Sequence, residues 1–589
     1  MSTAILTGPP VAMSPIGGDL RNLGFEVVTA EDAASLAARL QAVPASERVA
    51  VVDPRFVGHV HALRLGLTDP RFEASAVPGA VSVRPDARAA LVRAVAETGA
   101  EGEGETLADR LAGRMEKDGL TVHRPELGVL VATVPADATG RAGAEAAVAA
   151  VDDEAVRLRG AVKSRDGFFT TFFISPYSRY LARWCARRGL TPNQVTTASL
   201  LVALIAAGCA ATGTRPGFVA AGVLLLASFV LDCTDGQLAR YSLQYSTLGA
   251  WLDATFDRAK EYAYYAGLAL GAARGGDDVW ALALGAMVLQ TCRHVVDFAF
   301  AETSQDTGNG TAVLSRKLDG VGWTVWLRRM IVLPIGERWA LIAVLTATTT
   351  PRITLTVLIV ASGLAACYTT AGRLLRSLRR RTPYGDATAR ALADLADTGP
   401  LAEGLTRLFR GRGVPVAALL GAAVMIATST LAPAGSAWPL VAAGGYAVTS
   451  ALAVSRPLKG ALDWIVPPVF RAAEYTTILV LAAVSDVNGA LPAAFGLVAA
   501  VAYHHYDTVY RIRGGAGAPP RGLVRATGGH EGRVLLVTAA ATALAHHTGF
   551  TVALTVLAVA LAVVVLTESI GFWVSSQAPA VHDETGGPA

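Results

Sequence analysis

Four aspartates lie in a stretch of otherwise apolar sequence. Residues 231–257 read LDCTDGQLARYSLQYSTLGAWLDATFD. Asp232 and Asp235 are three residues apart, and Asp253 and Asp257 are four apart, so each pair shares one face of a helix. Ionised carboxylates at membrane depth are costly, and they normally face a bundle interior or a water-filled cavity where cations compensate them. The spacing therefore predicts converging carboxylates that hold metal ions.

The residue types around these acids indicate phosphoryl chemistry. Oxygen ligands without nearby His or Cys favour Mg²⁺, Mn²⁺ or Ca²⁺ over zinc, and the carboxylates have enough oxygens for two ions. Two hard cations neutralise a diphosphate, polarise the attacked phosphorus and stabilise the leaving oxygens. Gly236, Ala239 and, opposite them, Gly249 leave a groove where larger side chains would block a ligand. The guanidinium of Arg240 can bind a phosphate through two N–H groups.

The fixed positions of this stretch resemble the signature of the CDP-alcohol phosphotransferase family. The matching string is Asp232-x-x-Asp235-Gly236-x-x-Ala239-Arg240, then eight residues, then Gly249-x-x-x-Asp253-x-x-x-Asp257. Proteins with this signature use six membrane spans and two divalent cations to transfer a substituted phosphate from a CDP-linked donor to a hydroxyl, releasing CMP. The resemblance covers residues 165–378 and implies the same fold and reaction there.

The resemblance also implies a role for each residue of the string. Asp232, Asp235 and Asp253 would be ligands of two Mg²⁺ or Mn²⁺ ions. Asp257 would complete the second metal site and take the proton from the attacking hydroxyl. The residues implied to border the CDP moiety are Gly236, Ala239, Arg240 and Gly249, together with Asn193 and Thr196 of the preceding LTPNQVT segment.

Other interpretations of the acids stay open at this stage. They could form buried salt bridges with Arg240, Arg258 and Lys260 in an inert bundle, although ion pairs alone do not require small residues at set gaps. An ion-coupled transporter also uses acids within the membrane, but these acids lie at span ends. A homologue that keeps the fold without turnover, acting as a binding or scaffold protein, is a further alternative.

Basic residues on the same and neighbouring helices indicate where an acceptor would bind. An anion site for a phosphorylated polyol, such as an inositol phosphate, is predicted from Arg258, Lys260, Arg293 and Arg329, with His294 beside them. The alternative is that these side chains extend to the membrane interface. The donor is equally open, because CDP-diacylglycerol would give a phospholipid and a CDP-polyol would give a soluble phosphodiester.

Composition places this site in a membrane protein. The 589 residues are 52% hydrophobic, and Lys+Arg 51 against Asp+Glu 47 leaves a net charge of +4. That balance argues against a nucleic-acid partner. Five cysteines without CxxC or CxH spacing indicate neither a zinc site nor a disulfide framework. Composition therefore predicts a polytopic α-helical protein in the lipid bilayer.

An N-terminal soluble α/β domain is predicted for residues 1–160. Short β-like runs (TAILTG, FEVVTA, RVAVVD, LGVLVATV) alternate there with Ala-rich amphipathic stretches. Its position and the segment that follows it resemble fused enzymes whose sugar-nucleotidyltransferase-like domain makes a CDP-polyol. The expected Gly-rich basic loop is absent, since Pro9 and Pro10 occur and no Lys or Arg precedes Arg21. We interpret the domain as degenerate, serving as a scaffold or regulatory module.

A six-span bundle is predicted for residues 165–378. An interfacial helix over 168–190 sets aromatics against arginines. The apolar runs that follow are 194–212, 216–232, 250–272, 279–300, 337–350 and 352–376. Basic segments between the runs fall on one side, so the positive-inside rule places the N-terminal domain and the active site at the cytosolic face of a bacterial inner membrane. A homodimer is expected by the resemblance.

A second bundle is predicted after a polar cytosolic linker at 379–413. It covers 414–577 and is followed by a polar tail at 578–589; its apolar runs are 414–433, 437–455, 461–485, 489–508, 531–549 and 551–575. The segment LDWIVPPVFRAAEY echoes LDATFDRAKEY, and AYHHYDTVY echoes CRHVVDFAF. These echoes indicate either a duplication whose second copy lost the acidic segment, or chance similarity between Ala-rich helices.

Overall fold

The structure is a computed structural model that describes residues 2–9, 11, 14–98, 105–163, 166–305, 330–409 and 415–575. The chain forms two compact units. One contains residues 1–164, 177–192 and 234–245, and the other contains 165–176, 193–233 and 246–589.

A mixed sheet forms the centre of the N-terminal domain. The strands are β1 (Ser2–Thr7), β2 (Phe25–Ala30), β3 (Arg48–Val52), β4 (Val57–Gly58), β5 (Ala74–Val77), β6 (Ala80–Val83), β7 (Val122–His123) and β8 (Ala132–Thr133). Six of them pair in the order β2-β1-β3-β6-β5-β7, and β4 pairs separately with β8. β1 runs parallel to β2 and β3, whereas β6 runs antiparallel to β3 and β5. The predicted α/β domain is confirmed.

Helices cover both faces of this sheet. They are α1 (Ile16–Asn22), α2 (Ala33–Ala42), α3 (Val60–Leu67), α4 (Arg88–Glu97), α5 (Leu107–Lys117), α6 (Ala138–Ala149) and α7 (Asp153–Gly160). Along β3 the side chains alternate: Val49 and Val51 join the core with α2, α4 and α5, whereas Ala50 and Val52 join the core with α1 and α3. Both faces of the strand are therefore buried.

The helices that follow occupy the predicted interfacial segment and the first six apolar runs. They are α8 (Ser175–Arg187), α9 (Pro192–Ala211), α10 (Arg215–Ser242), α11 (Thr247–Arg274), α12 (Trp280–Gln305), α13 (Ile335–Thr348) and α14 (Pro351–Leu378). A π-helical turn at Thr170–Ile174 precedes α8. The exposed aromatic side chains of α8, among them Tyr177, Tyr180 and Trp184, suit an interfacial helix.

Two helices lie in the stretch that the sequence predicts as a linker. They are α15 (Asp386–Ala396) and α16 (Pro400–Phe409), and Leu392, Leu395 and Ala402 on them are buried. The remaining helices are α17 (Val416–Leu431), α18 (Trp438–Ala453), α19 (Val466–Val484), α20 (Ala490–Arg513), α21 (Arg521–Ala526), α22 (Gly529–Ala543) and α23 (Thr548–Ser575). The buried face of α15 packs into the same core as α17, α18 and α19.

Within the part of the chain that the structure describes, five helical segments are long and apolar enough to cross a membrane. They are Pro192–Ala211, Arg215–Ser242, Pro351–Leu378, Asp463–Val484 and Thr548–Ser575. Val416–Leu431 is apolar but shorter. The architecture is that of a multi-pass membrane protein, as predicted.

Close contacts between backbones fix the position of α11. A Cβ added at Gly267 would lie 2.4 Å from the carbonyl oxygen of Ala207, and one at Gly271 would lie 2.0 Å from that of Ala210. Larger side chains at these two positions would push α11 away from α9. The two glycines therefore set the place of the helix on which Asp253 and Asp257 lie.

Candidate active site

The acidic signature lies on α10 and α11. Asp232 and Asp235 are one turn apart on α10, and Asp253 and Asp257 are one turn apart on α11. Ser246 caps α11, its Oγ accepting a hydrogen bond of 2.9 Å from the backbone N–H of Gly249. Ligand oxygens of Asp232, Asp235 and Asp253 all lie within 4.8 Å of one another.

This donor set suits a hard divalent cation. All three residues offer carboxylate oxygens, which Mg²⁺ and Mn²⁺ prefer. Asp235 is buried, Asp232 is half-buried and Asp253 is exposed. The cluster thus combines a fixed buried ligand with an accessible one.

Asp257 is tied to the cluster through a lysine. The ammonium of Lys260, whose side chain is completely buried, donates to Asp232 Oδ1 and lies 3.5 Å from Asp257 Oδ1. The ammonium of Lys260 therefore holds these two carboxylates side by side and offsets the repulsion between them. Lys260, predicted as an acceptor contact, has these two acids as its partners in the structure.

Arg258, also predicted at the acceptor site, belongs to a buried ion network. Its Nη1 donates to Glu261 Oε2 at 3.2 Å, and Nη2 of Arg338 donates to the same oxygen at 3.1 Å. Nε2 of His294 lies 3.5 Å from Arg258 Nη1, and its Nδ1 contacts the hydroxyl of Tyr506. Arg338 is a residue of this network that the sequence did not predict.

Arg293 keeps one buried nitrogen available. The residue is 7% exposed, and Nη2 donates to the carbonyl oxygen of Val332. Among the described residues Nη1 has no hydrogen-bond partner. A buried guanidinium N–H without a partner is costly, so this group is suited to binding an anion. Arg329 lies outside the described residues.

Two residues predicted at the nucleotide lie against one another. A Cβ added at Gly249 would be 2.7 Å from Asn193 Oδ1 and 2.8 Å from Ser246 Oγ. Glycine at 249 therefore makes room for the Asn193 side chain at the start of α9. Thr196, one turn further along α9, is buried.

The other predicted nucleotide contacts lie at the end of α10. Gly236 and Arg240 are close, since a Cβ at Gly236 would meet Arg240 Nη1 at 3.5 Å. Arg240 Nε donates to the carbonyl oxygen of Ala161 at 2.6 Å. Ala239 lies beside Arg240 on the same helix and is half-buried. A backbone carbonyl after α7 thus fixes the orientation of the Arg240 side chain.

The N-terminal domain secures this end of α10 in a second way. Arg157 Nε donates to the carbonyl oxygen of Tyr241 at 2.7 Å, and the Arg157 guanidinium lies 3.5 Å from the centre of the Tyr241 ring. Asp53 accepts hydrogen bonds from the backbone and side chain of Arg55. The scaffold or regulatory role of the domain stays a prediction.

A family model matches the sequence from just before α9 into α14. Residues 189–371, called the transferase domain below, match the family model of CDP-alcohol phosphatidyltransferases. Residues 386–589 match a second model, a family of unknown function (DUF5941). Both matches lie beyond the N-terminal domain, so its degenerate nucleotidyltransferase ancestry stays a prediction.

The transferase domain is similar to enzymes with inositol phosphate products in their names. It is 29% identical to an archaetidylinositol phosphate synthase of Pyrococcus horikoshii over 123 residues, 21% of this chain and 64% of that protein. It is 34% identical to a phosphatidylinositol phosphate synthase of Streptomyces avermitilis over 131 residues, 21% of this chain and 51% of that protein. A phosphatidylinositol phosphate synthase of Mycolicibacterium smegmatis is 36% identical over 136 residues, 23% of this chain and 60% of that protein. The chain thus spans between half and two thirds of the length of these relatives.

Proposed function

We propose that the transferase domain moves a substituted phosphate from a CDP-alcohol to an acceptor hydroxyl and releases CMP. The observation that carries this proposal is the cluster of Asp232, Asp235 and Asp253 oxygens within 4.8 Å. A cluster of carboxylates alone is common, but this one lies on the signature of a family whose members catalyse such transfers. The N-terminal domain and the site are proposed to face the cytosol of a bacterial cell.

The residues of α10 and α11 have different roles in the proposed reaction. Asp232, Asp235 and Asp253 would hold Mg²⁺ or Mn²⁺, which when bound neutralises the diphosphate of the donor. Asp257 accepts the proton of the acceptor hydroxyl while that oxygen bonds to the phosphorus next to the donor alcohol. The bond from this phosphorus to the oxygen shared with CMP breaks, and CMP leaves with the electron pair.

Lys260 has a specific part in this scheme. Its ammonium lies between Asp232 and Asp257, so it favours the ionised form of the carboxylate that must accept a proton. Because the lysine is completely buried, it is positioned by packing. We therefore assign Lys260 to positioning and charge balance.

The acceptor is proposed to be a phosphorylated polyol such as inositol phosphate. The relatives named above as inositol phosphate synthases support this class of acceptor. Among the described residues Nη1 of Arg293 has no hydrogen-bond partner and would bind the acceptor phosphate, whereas Arg258 is already paired with Glu261. An arginine at a phosphate site is sensitive even to lysine, because lysine lacks the planar fork.

The test measures CMP release by the full-length protein in detergent with Mg²⁺ or Mn²⁺. CDP-diacylglycerol and CDP-inositol are offered as donors, and inositol and inositol phosphate as acceptors. Asp257→Asn, which keeps the shape of the side chain, serves as the inactive control. We expect CMP release that requires an acceptor and is lost in the variant.

Arg293→Lys tests the acceptor assignment. It should raise KM for the phosphorylated acceptor and leave KM for the CDP-linked donor unchanged. Release that persists in Asp257→Asn would contradict the proposed base, and an unchanged KM for the acceptor would contradict the role of Arg293. CDP binding without release from any pair would favour a non-catalytic binding protein.

A further inference from the structure

The helices after residue 415 repeat the order of the transferase bundle. Among the described residues 192–305 and 330–378, the transferase bundle has helices of 20, 28, 28, 26, 14 and 28 residues, namely α9 to α14. The C-terminal bundle has α17, α18, α19, α20, α22 and α23, of 16, 16, 19, 24, 15 and 28 residues. In both, the fifth helix is the shortest and the sixth is long.

The third and fifth helices contain equivalent ion networks. In the transferase bundle Glu261 on the third helix binds Arg258 of its own helix and Arg338 at the start of the fifth. In the C-terminal bundle Glu474 on the third helix receives a 2.6 Å hydrogen bond from Arg471, three residues earlier, and one from Arg533 at the start of the fifth. Two arginines thus bind one glutamate at the same place in both bundles.

An acid in the first turn of the fifth helix also has equivalent partners. Glu337 accepts a hydrogen bond of 3.3 Å from the backbone N–H of Phe169, in the segment before the transferase bundle. Glu531 accepts hydrogen bonds of 3.1 and 3.0 Å from the backbone N–H groups of Gly399 and Ala402, in the segment before the C-terminal bundle. This contact joins helix five to the preceding helical segment in each bundle.

The two fourth helices lie side by side and run in the same direction. The offset that aligns His294 with His504 places Phe298 opposite Thr508. Near the ends of both helices, the Phe298 ring contacts Tyr506 and Tyr510, with centroids 6.2 and 6.4 Å away. Equivalent positions on the two helices therefore face each other.

The starts of these two helices are also adjacent. The ring of Trp280 lies 5.7 Å from that of Phe495, measured between centroids. The contacts are also reciprocal, because α12 packs against α19 while α11 packs against α20. Reciprocal use of the same elements is the property of an interface between two copies related by a twofold axis.

The C-terminal bundle lacks the acids of the signature. Helix α18, the counterpart of α10, has no charged residue, and Glu474 is the acidic residue of α19. Asp463, which echoes Asp253 in sequence, precedes α19 and pairs with Arg456 at 3.0 Å. The C-terminal bundle therefore has no set of carboxylates at the position of the transferase site.

We propose that the C-terminal bundle is a divergent copy of the transferase bundle that serves as its internal partner. It covers the third and fourth helices of the transferase bundle with its own third and fourth helices. One chain then contains one site and one non-catalytic partner, and the homodimer expected from the sequence is not formed through these helices.

Crosslinking of the full-length protein in membranes tests this arrangement. In a variant without its native cysteines, Trp280→Cys is combined with Phe495→Cys, and a short bifunctional thiol reagent is added. Phe298→Cys with Tyr510→Cys is a second pair across the same interface, used if the first variant fails to fold. Asp277→Cys with Arg352→Cys is the matched control, because Asp277 and Arg352 form an ion pair within the transferase bundle.

Two differently tagged copies of each variant are expressed together. We expect both interface pairs to crosslink within one chain as efficiently as the control pair, with no product that contains both tags. Particles of the native protein in detergent should have the mass of one chain. A mixed-tag product would overturn the proposal, as would no interface product while the control pair reacts. The readout needs no catalytic activity, so it is independent of the proposed function.

Discussion

Helices α11 and α19 have the same Arg-x-x-Glu-Tyr segment but different neighbours along the chain. In α11 the segment follows Asp253 and Asp257, whereas α19 has no aspartate. Both glutamates are buried and bound by two arginines. The shared glutamate–arginine networks therefore stabilise each bundle, whereas the aspartates that only α11 has are the residues suited to catalysis.

Physical chemistry explains why the ion networks persist in both bundles. Removing one partner from a buried ion pair leaves an uncompensated charge, which costs about 3–5 kcal/mol, so such networks are retained whatever the bundle does. Carboxylates at a metal site repel each other without the metal, and a bundle that no longer binds substrate gains from losing them. The C-terminal bundle accordingly has the ion network and lacks the carboxylates of the signature.

The C-terminal network contains one more acid than its counterpart. Asp397, in the loop between α15 and α16, accepts hydrogen bonds of 2.8 Å from Arg471 and 2.7 Å from Arg533. Burial opposes the ionised form of Asp397, but Arg471, Arg533 and His504 outweigh it and hold its pKa well below the usual range. Ion pairs of Asp397 with Arg471 and Arg533 thus hold the loop between α15 and α16 against the C-terminal bundle.

The largest expected difference between the bundles concerns their aspartates. Asp257→Asn should lower acceptor-dependent CMP release by about 10²–10⁴-fold, the range for loss of a general base. Asp463→Asn, which changes the C-terminal aspartate that is similar in sequence position to Asp253, is the control and should leave release per folded molecule unchanged. Release is measured on the monodisperse fraction from size exclusion. Equal losses of release in both variants would contradict the conclusion that only the transferase bundle is catalytic.

The two glutamates should behave alike in stability and differently in activity. Glu261→Gln and Glu474→Gln each leave two buried arginines without their acid, so both should destabilise the protein by about 3–5 kcal/mol. Thermal unfolding in detergent would show this as a lower melting temperature. Only Glu261→Gln should also lower CMP release per folded molecule, because Glu261 lies one turn beyond Asp257. Loss of release in Glu474→Gln at a temperature where it is folded would contradict the division of roles.

Acid should destabilise the C-terminal bundle through Asp397. Its folded-state pKa is depressed, so the stabilisation is fully present above the ordinary Asp value of about 3.9 and is lost as the pH falls further. Melting temperatures measured from pH 7 down to about 3 should therefore fall less in Asp397→Asn than in the native protein, from a lower starting value. Parallel curves for the two proteins would mean that Asp397 does not titrate with unfolding.

The smallest expected effects come from two tyrosine hydroxyls. Tyr506→Phe removes the contact with His294, and Tyr446→Phe removes a 2.8 Å contact with His530 inside the C-terminal bundle. Each should cost about 1 kcal/mol, the typical net value of one hydrogen bond. Because His294 contacts Arg258, Tyr506→Phe should also alter CMP release, whereas Tyr446→Phe should not. The same change in release for both would show that Tyr506 acts through stability alone.

Local patterns predicted much of this molecule. The signature acids are close in sequence, and helical spacing alone brings Asp232 to Asp235 and Asp253 to Asp257. The apolar runs predicted the helices of both bundles because a membrane helix is specified by its own composition. Small residues such as Gly249 could be placed because their neighbours in the signature are fixed.

Contacts between distant residues could not be predicted in this way. Arg338 and Arg533 are single residues at helix starts, and no local pattern connects them to Glu261 or Glu474. The segment 379–413 is polar and compatible with helices, but the sequence does not show that α15 packs against the bundle beside it. Such partners become visible when the chain is folded.

The N-terminal sheet shows the same limit. The hairpin β5–β6 consists of two four-residue strands rich in Ala, Ser and Val, and the turn residue Gly79 has φ +79°. The Pro78-Gly79 dipeptide is the local turn signal between the two strands. Of the run LGVLVATV, only Ala132–Thr133 forms a strand, because a strand requires a partner and β4 pairs with these two residues alone.

The central claim is that each chain has one transferase site and that its C-terminal bundle has none. The most direct test is the number of CDP molecules bound per chain. Equilibrium binding of radiolabelled CDP to the full-length protein with Mn²⁺ should reach one CDP per chain. Asp232→Asn should abolish the binding, and Asp463→Asn should leave it at one. Two CDP molecules per chain, or binding that survives in Asp232→Asn, would contradict the account.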